Sequence, residues 1–148
     1  MENKEQSQYK FDNIIISDMQ FHRNPKIKQT DEFPIDFSTN SIISDDRKSI
    51  VVELSIEINK DKKDEEVLFK LKCIIVGFFS VISEKENFKI ERFIELHAPT
   101  MMIPYLREAI SNITLRSGLP PFILPPVNVY ELINKNSKQT SENKEESK

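Results

Sequence analysis

The amino-acid sequence predicts an α+β fold, in which a four-stranded antiparallel sheet is followed by a long helix, a Pro-rich connector and a short C-terminal helix. Three observations predict this class. Apolar and polar residues alternate with period two in the first half of the chain, most clearly from Ile50 to Ile58, as in strands with one wet face. Apolar residues recur at helical spacing from about Glu86 onward. Strands that precede the helices favour an antiparallel sheet.

The strands are predicted over residues 9–23, 33–43, 50–58 and 67–82. In the first strand the parity of the apolar residues breaks, which suggests a bulge. In the last strand the even positions are polar at Lys70 and Lys72 and turn apolar at Ile74, Val76, Phe78 and Ile82, so its second half is apolar on both faces. Either a helix covers each face, or the far face meets a second subunit or an apolar ligand. We favour the second alternative because the sequence offers few helices.

Proline and glycine divide the helical part of the chain. A short helix that begins near Glu86 should stop at Pro99. A longer helix should run from about Thr100 to Ser117, with Pro104 in its first turn, where a missing N–H is not needed. Gly118 is placed to end this helix in a left-handed conformation.

The connector after this helix, residues 119–127, holds four of the eight prolines and should be extended and rigid. A last short helix should begin at Asn128, where Glu131 completes a capping box. The patterned chain, residues 9–136, is long enough for one domain with its own core. The polar segments 1–8 and 137–148 lack apolar periodicity and are expected to be disordered tails.

The scarcity of Gly, His and Cys excludes several chemistries. Two distant glycines cannot form a Walker or dinucleotide loop, and one Cys allows neither an internal disulfide nor a CxxC pair. Two His leave little for a metal site, so we expect neither a metal nor a cofactor. Cys73 reads as a small buried hydrophobe. No group of residues makes an active site, and we do not expect an enzyme.

The net charge of -3 and the mixed-sign stretch 59–66 argue against a nucleic-acid binder. No apolar run reaches the length of a membrane span, the N-terminus lacks a signal-peptide core, and the unpaired Cys suits a reducing compartment. We therefore expect a cytoplasmic protein. With 10 Phe in the chain, several of them in loops or at strand ends, some of these side chains could line an apolar groove for extended polypeptide.

Three ordered motifs in the C-terminal third are specific. Residues 104–110 read PYLREAI, residues 116–120 read RSGLP, and residues 124–129 read LPPVNV. They resemble the PYxRExI, RxGxxP and LxPVNF motifs of the SecB protein-export chaperones. Weaker similarity covers residues 77–80 and 16–21, so the resemblance spans most of the patterned chain.

The resemblance implies an ATP-independent holdase that binds unfolded precursor proteins in an apolar groove and assembles as a homotetramer, a dimer of dimers. The groove would be bordered by the loop after the first strand and by the final helix. Mapped onto this chain, these borders are residues 25–34, with Ile27 and Phe33, and residues 128–134. The substrate-binding residues that we expect are Phe21, Ile27, Phe33, Phe78, Leu124, Val129 and Ile133. For the oligomer interface we expect Leu71, Cys73, Ile75, Tyr105, Leu106, Ile110 and Ile113.

The chain departs from the family where exporting members present acids to the zinc-bearing tail of the SecA motor. Asp18 and His22 are the SecA-contact residues that the resemblance implies, but His22 replaces a Glu. Lys70 and Lys72 stand where the family has a Leu and a Glu, which reverses the sign of the interaction.

This departure motivates an alternative with the same fold, a SecB-like chaperone dedicated to one client, such as the antitoxin of a toxin–antitoxin pair. A third hypothesis is a small-ligand binder or an enzyme using the groove. It requires a deep pocket with convergent polar groups, for which the sequence supplies few residues.

Overall fold

The computed structural model describes residues 8–27, 33–83 and 89–126, together with Glu131. Its strands are β1 (Tyr9–Arg23), β2 (Ile35–Ile43), β3 (Ser49–Ile58) and β4 (Phe69–Val81). They form one antiparallel sheet in the order β1-β4-β3-β2. The α+β class and the four predicted strands are confirmed. The register of β1 against β4 shifts twice, after Phe11 and after Ile16, which explains the broken parity of the first strand.

The helical segment is continuous, and the predicted break at Pro99 is wrong. A first turn, α1 (Ile90–Arg92), leads through a π-helical turn, Phe93–His97, into α2 (Ala98–Arg116). Across that turn the N–H of Ala98 donates to the carbonyl of Phe93, so the chain passes through the wider π geometry where Pro99 would disturb a regular helix.

The position of Pro104 is a second correction. Because α2 already begins at Ala98, Pro104 lies inside the helix and not in its first turn. The end of the helix follows the prediction. Gly118 has a φ of 86°, and the N–H of Leu119 reaches back to the carbonyl of Thr114 at 3.2 Å, as in a Schellman cap.

The core lies between α2 and one face of the sheet, which we call the helix face. It is built from alternate residues of the two central strands and from one side of α2. Its fully buried side chains include Val52, Leu54 and Ile56 of β3, Cys73, Ile75 and Phe79 of β4, and Met102, Leu106 and Ile110 of α2. Gly77 allows the close approach of helix and sheet, because a Cβ there would lie 3.0 Å from Sδ of Met102.

The opposite face of the sheet, which we call the far face, carries the even residues of β4. Lys70, Lys72, Ile74, Val76 and Phe78 are all half-buried on it. Within residues 8–27, 33–83 and 89–126, no helix packs on this face. The alternative of a helix on each side of the sheet is therefore not found in the described chain.

Beyond Pro126, only Glu131 of the predicted final helix is described. The predicted tails fall outside the described residues, apart from Gln8. No helix in the described part of the chain is both long and apolar enough to cross a membrane.

Candidate functional site

Phenylalanines from four segments meet at the end of the sheet where β1 stops and β4 starts. We call this group the aromatic cluster. Its members are Phe21 of β1, Phe33 before β2, Phe69 of β4 and Phe122 of the connector. Phe69 is buried at the centre, whereas the other three are half-buried and keep part of their rings exposed.

The ring geometry is that of a packed aromatic group. The centroid of Phe69 lies 5.7 Å from that of Phe21 and 5.4 Å from that of Phe33, both in stacked orientations. Phe122 meets Phe33 and Phe69 edge-on, at 5.0 and 5.6 Å. Edge-to-face and offset pairs of this kind hold their rings in fixed positions. The cluster therefore presents ready-made apolar surface.

Helix α2 fixes the connector against this cluster through one buried side chain. The hydroxyl of Thr114 accepts a hydrogen bond from the N–H of Phe122 at 2.8 Å and also lies 2.9 Å from the carbonyl of Ile110. Leu124 is buried in the core, while Ile123 between these anchors is 63% exposed. The connector is thus tied down on both sides of an exposed apolar residue.

The strand ends around the cluster are tied together by polar side chains. Asn59 donates through Nδ2 to the carbonyl of Phe69 at 2.7 Å, and its N–H donates to the carbonyl of Pro34 at 3.0 Å. The guanidinium of Arg23 donates to the carbonyl of Ser117. These contacts set where Phe33, Phe69 and the connector lie relative to one another.

The structure brings together only part of the predicted groove. Phe21 and Phe33 share the aromatic cluster, and Ile27 is half-buried in the loop that follows β1. Leu124 belongs to the core, and Phe78 lies on the far face, away from the cluster. Val129 and Ile133 lie outside the described residues.

Phe122 is one of the phenylalanines outside regular elements that could line a groove, but it is not among the predicted substrate-binding residues. The sequence signal was present, because an aromatic side chain in a proline-rich connector has no regular element to bury it.

The predicted interface residues fall into two groups, those buried within the single chain and those with exposed surface. Five of them are buried at 0–3% exposure in the core of the single chain, where they have no surface left for a second subunit: Leu71, Cys73, Ile75, Leu106 and Ile110. Only Tyr105, which is 50% exposed, and the half-buried Ile113 retain surface. Period-two alternation predicts that a residue is covered, but it cannot tell whether the chain's own helix or a partner covers it.

Burial also controls the chemistry of Cys73. Desolvation, with a smaller effect of the Asp18 carboxylate, raises the pKa of the thiol to about 11. A thiol that stays protonated at neutral pH is a poor nucleophile. This agrees with the interpretation of Cys73 as a small buried hydrophobe.

The predicted SecA-contact residues lie on the far face. His22 is paired in register with Lys70, Gln20 with Lys72, and Asp18 with Ile74. The amide of Gln20 donates to the carboxylate of Asp18 at 3.0 Å.

These strand ends line an open cleft of about 320 Å³. The turn after β3 adds Lys60 and Asp64, and Asp64 lies 3.4 Å from Nζ of Lys70. Among the described residues no group of three or more His, Cys, Asp or Glu could hold a metal ion.

Comparison with known proteins agrees with this fold. The family model described as Preprotein translocase subunit SecB matches residues 2–140. The protein-export protein SecB of Marinobacter nauticus is 30% identical, over 86% of this chain and 78% of its own. That of Nitrosomonas europaea is 28% identical, over 93% and 88%. An uncharacterized protein of Methanocaldococcus jannaschii is 27% identical, over 92% and 89%.

A solved structure shares the fold. A SecB-like chaperone of Mycobacterium tuberculosis, in complex with a ChAD peptide from an antitoxin, superposes with a TM-score of 0.65 at 16% identity, over 82% of this chain and 88% of that one. With the match over residues 2–140, the chain belongs to the SecB family of non-enzymatic chaperones.

Proposed function

We propose that this chain is an ATP-independent holdase that binds extended, unfolded polypeptide at the aromatic cluster. The observation that carries the proposal is the cluster itself, in which a buried Phe69 holds three partly exposed rings at the junction of four chain segments. A surface of this kind binds apolar client side chains without requiring a particular sequence. Family membership supports the same activity.

The mechanism is binding alone. A client side chain that is buried against the exposed ring faces contributes about 1.5–3 kcal/mol, so one site gives weak affinity. Several sites on one assembly would raise the affinity for a long client, since each later contact is intramolecular. A homotetramer is therefore part of the proposal. Met101, Tyr105 and Leu115 leave exposed apolar surface along α2 that could serve such an assembly.

Aggregation of a reduced, unfolded client followed by light scattering tests the proposal. The chain should suppress scattering at a near-stoichiometric ratio without ATP. Phe122→Ser combined with Phe33→Ser should weaken suppression, because each lost aromatic contact removes about 1 kcal/mol, or roughly fivefold in affinity. Ile82→Ser is the control, because Ile82 is 56% exposed just beyond the end of β4 and belongs to no part of the cluster. Unchanged scattering with the natural chain would contradict the holdase function.

A second candidate is a chaperone dedicated to one client, such as an antitoxin, that does not engage SecA. The charges of Lys70 and Lys72 favour it, since a basic docking tail would meet positive charge at this end of the far face. The SecB-like chaperone that shares this fold was solved with an antitoxin peptide.

Titration with the zinc-bearing C-terminal peptide of SecA separates the two candidates. Absence of binding would favour the dedicated client, and saturable binding would favour export. A cytoplasmic location belongs to both proposals, and the buried, unpaired Cys73 is compatible with it.

A further inference from the structure

One stripe of side chains runs the length of β4 on the far face and has two chemically different halves. Its members are Lys70, Lys72, Ile74, Val76 and Phe78. Alternate residues of a strand lie roughly 6.6–7 Å apart, so the stripe extends about 26 Å. Every member is half-buried, and no described helix covers them. The stripe lies on the opposite face of the sheet from the aromatic cluster, and Phe21 of the cluster borders the cleft at the edge of β1.

The first half of the stripe is basic. The cleft of about 320 Å³ there is lined by Lys60, Lys70 and Lys72, against the two carboxylates Asp64 and Glu57. One of these carboxylates is engaged, because Asp64 lies 3.4 Å from Lys70. Among the described residues, Lys60 has no ion-pair partner within 4.0 Å. Lys72 is paired in register with Glu57 across β3 and β4, but the two side chains form no ion pair. The cleft therefore holds more positive than negative charge.

The second half of the stripe is apolar and is continued by neighbouring strands. Val76 is paired in register with Ile15 of β1, and Phe78 with Val51 of β3. Ile15 is 44% exposed. Exposed apolar side chains grouped on one sheet face mark an interaction surface.

Carboxylates beside the apolar half determine at which end of the stripe a ligand can place its acidic residues. Asp18 is the register partner of Ile74, and Glu53 is that of Val76. An acidic ligand residue would be repelled there and attracted at the cleft. A ligand that suits the whole stripe is therefore acidic at one end and apolar at the other.

We propose that the far face binds an extended peptide segment that carries acidic residues over Lys70 and Lys72 and apolar residues over Ile74, Val76 and Phe78. An extended peptide presents alternate side chains at the same spacing as β4. A peptide with two acidic residues followed by three apolar residues, each at every second position, therefore matches the stripe. Neither a nucleic acid nor inorganic phosphate would use the apolar half. This site lies on the opposite face of the sheet from the client site proposed above and borders it at Phe21.

The test uses a fluorescent synthetic peptide with Glu at two alternate positions and Ile, Val and Phe at the next three, separated by Ser. Fluorescence anisotropy should show saturable binding that weakens as salt is raised. A peptide with Lys in place of both Glu should bind about tenfold more weakly, as expected when two partly exposed ion pairs become repulsive. The double variant Lys70→Glu, Lys72→Glu should reverse this preference.

Three variants separate the contributions. Lys48→Glu makes the same kind of charge change in the turn before β3, at the other end of the sheet, and should leave the affinity unchanged. Val76→Ser should weaken binding of both peptides without altering its salt dependence. Lys72→Gln, which only neutralises the charge, should have an intermediate effect and guards against misfolding of the reversed variants.

Several results would overturn the proposal. One is equal affinity for the two peptides, and another is unchanged binding by the double variant. Tighter binding of a single-stranded oligonucleotide than of the acidic peptide would assign the cleft to polyanions instead. A change of oligomeric state on Val76→Asp, seen by light scattering, would assign the apolar half to a second copy of the chain. Lys70→Glu, Lys72→Glu should keep normal client protection, and a loss of client protection together with peptide binding would overturn the assignment of the stripe to a second site.

Discussion

Gly77→Ala is the substitution for which the structure predicts the sign of the stability change most directly. Gly77 lies in the central strand β4, beneath α2. A Cβ at this position would lie 2.9 Å from Cε2 of Phe79 and 3.0 Å from Sδ of Met102. Ordinary van der Waals contact begins at 3.4 Å, so the methyl group would overlap both side chains by several tenths of an ångström.

The two neighbours differ in how easily they can move. Met102 is flexible, although it is fully buried. Phe79 is held between two other rings, stacked on Phe11 at 4.7 Å and edge-on to Phe93 at 5.2 Å. Relief of the overlap must therefore displace Phe79 or the helix above it. Overpacking of this kind costs about 1–3 kcal/mol.

The sign is informative because Gly→Ala has an opposite effect on the unfolded chain. Where the native backbone accepts Ala, the substitution stabilises by ~0.4–1 kcal/mol through the lower entropy of the unfolded state. Gly77 does not have a positive φ, so without the overlap Gly77→Ala would raise stability. With the overlap we expect a net loss of about 1 kcal/mol or more.

Urea unfolding followed by far-UV circular dichroism measures this difference, since the chain has no Trp for fluorescence. Protein concentration must be held fixed, because assembly shifts apparent stability. Phe79→Leu should reduce the effect of Gly77→Ala, which gives a favourable coupling of about 1 kcal/mol in the double-mutant cycle. A Gly77→Ala chain as stable as the natural one, or more stable, would refute the packing argument.

Three further predictions concern the ends of the elements and the core. Gly118→Ala should destabilise by ~1–2 kcal/mol because of its φ of 86°, and a Cβ there would also lie 2.8 Å from Nη1 of Arg23; Gly118→Asn should cost less in the same urea assay. Asn59→Ala should destabilise by about 1–3 kcal/mol, because it loses the hydrogen bond to the Phe69 carbonyl and places Ala at a φ of 61°, which is unfavourable for a residue with a Cβ. Asn59→Gly loses only the hydrogen bond and should cost less. The pKa of Cys73 is raised to about 11 in the folded chain, so the thiol of the unfolded chain ionises at lower pH. The free energy of unfolding should therefore fall as pH rises from about 9 to 11. Cys73→Val should lessen this slope, and an unaltered slope would contradict the assignment to Cys73.

The strands could be predicted from the sequence because alternation is a local signal. Each of β3 and β4 buries every second residue, and that pattern is visible in the sequence without knowledge of the neighbours. The helix was harder to predict, since Pro99 carries a strong local preference to end it. The π-helical turn before α2 overrides that preference, and nothing in the spacing of apolar residues indicates such a turn.

The aromatic cluster was only half predictable for a different reason. Phe21 and Phe33 are among the predicted substrate-binding residues, but of Phe122 and Leu124, two residues apart in one connector, the prediction chose Leu124, which is buried. Which of them is buried depends on the hydrogen bond from Phe122 to Thr114, which links residues eight apart and fixes the rotation of the connector. Long-range contacts of this kind leave no periodic trace in a single sequence.

The sheet is one layer thick where the two proposed sites lie, so they should act independently. Phe69, at the centre of the aromatic cluster, and Lys70, in the basic cleft, are consecutive residues that point to opposite faces of β4. The two sites share backbone at this point, and Phe21 of the aromatic cluster also borders the cleft. Phe122 and Lys72, one in each site, share no side-chain partner in the described contacts. Changes that share no partner add within ~0.3–0.5 kcal/mol. Phe122→Ser should therefore weaken client protection, and Lys72→Glu should weaken binding of the acidic peptide. The double variant should lose as much client protection as Phe122→Ser alone and as much peptide binding as Lys72→Glu alone. A larger deviation in either assay would mean that β4 couples the two faces, and a ligand on the far face would then regulate client binding.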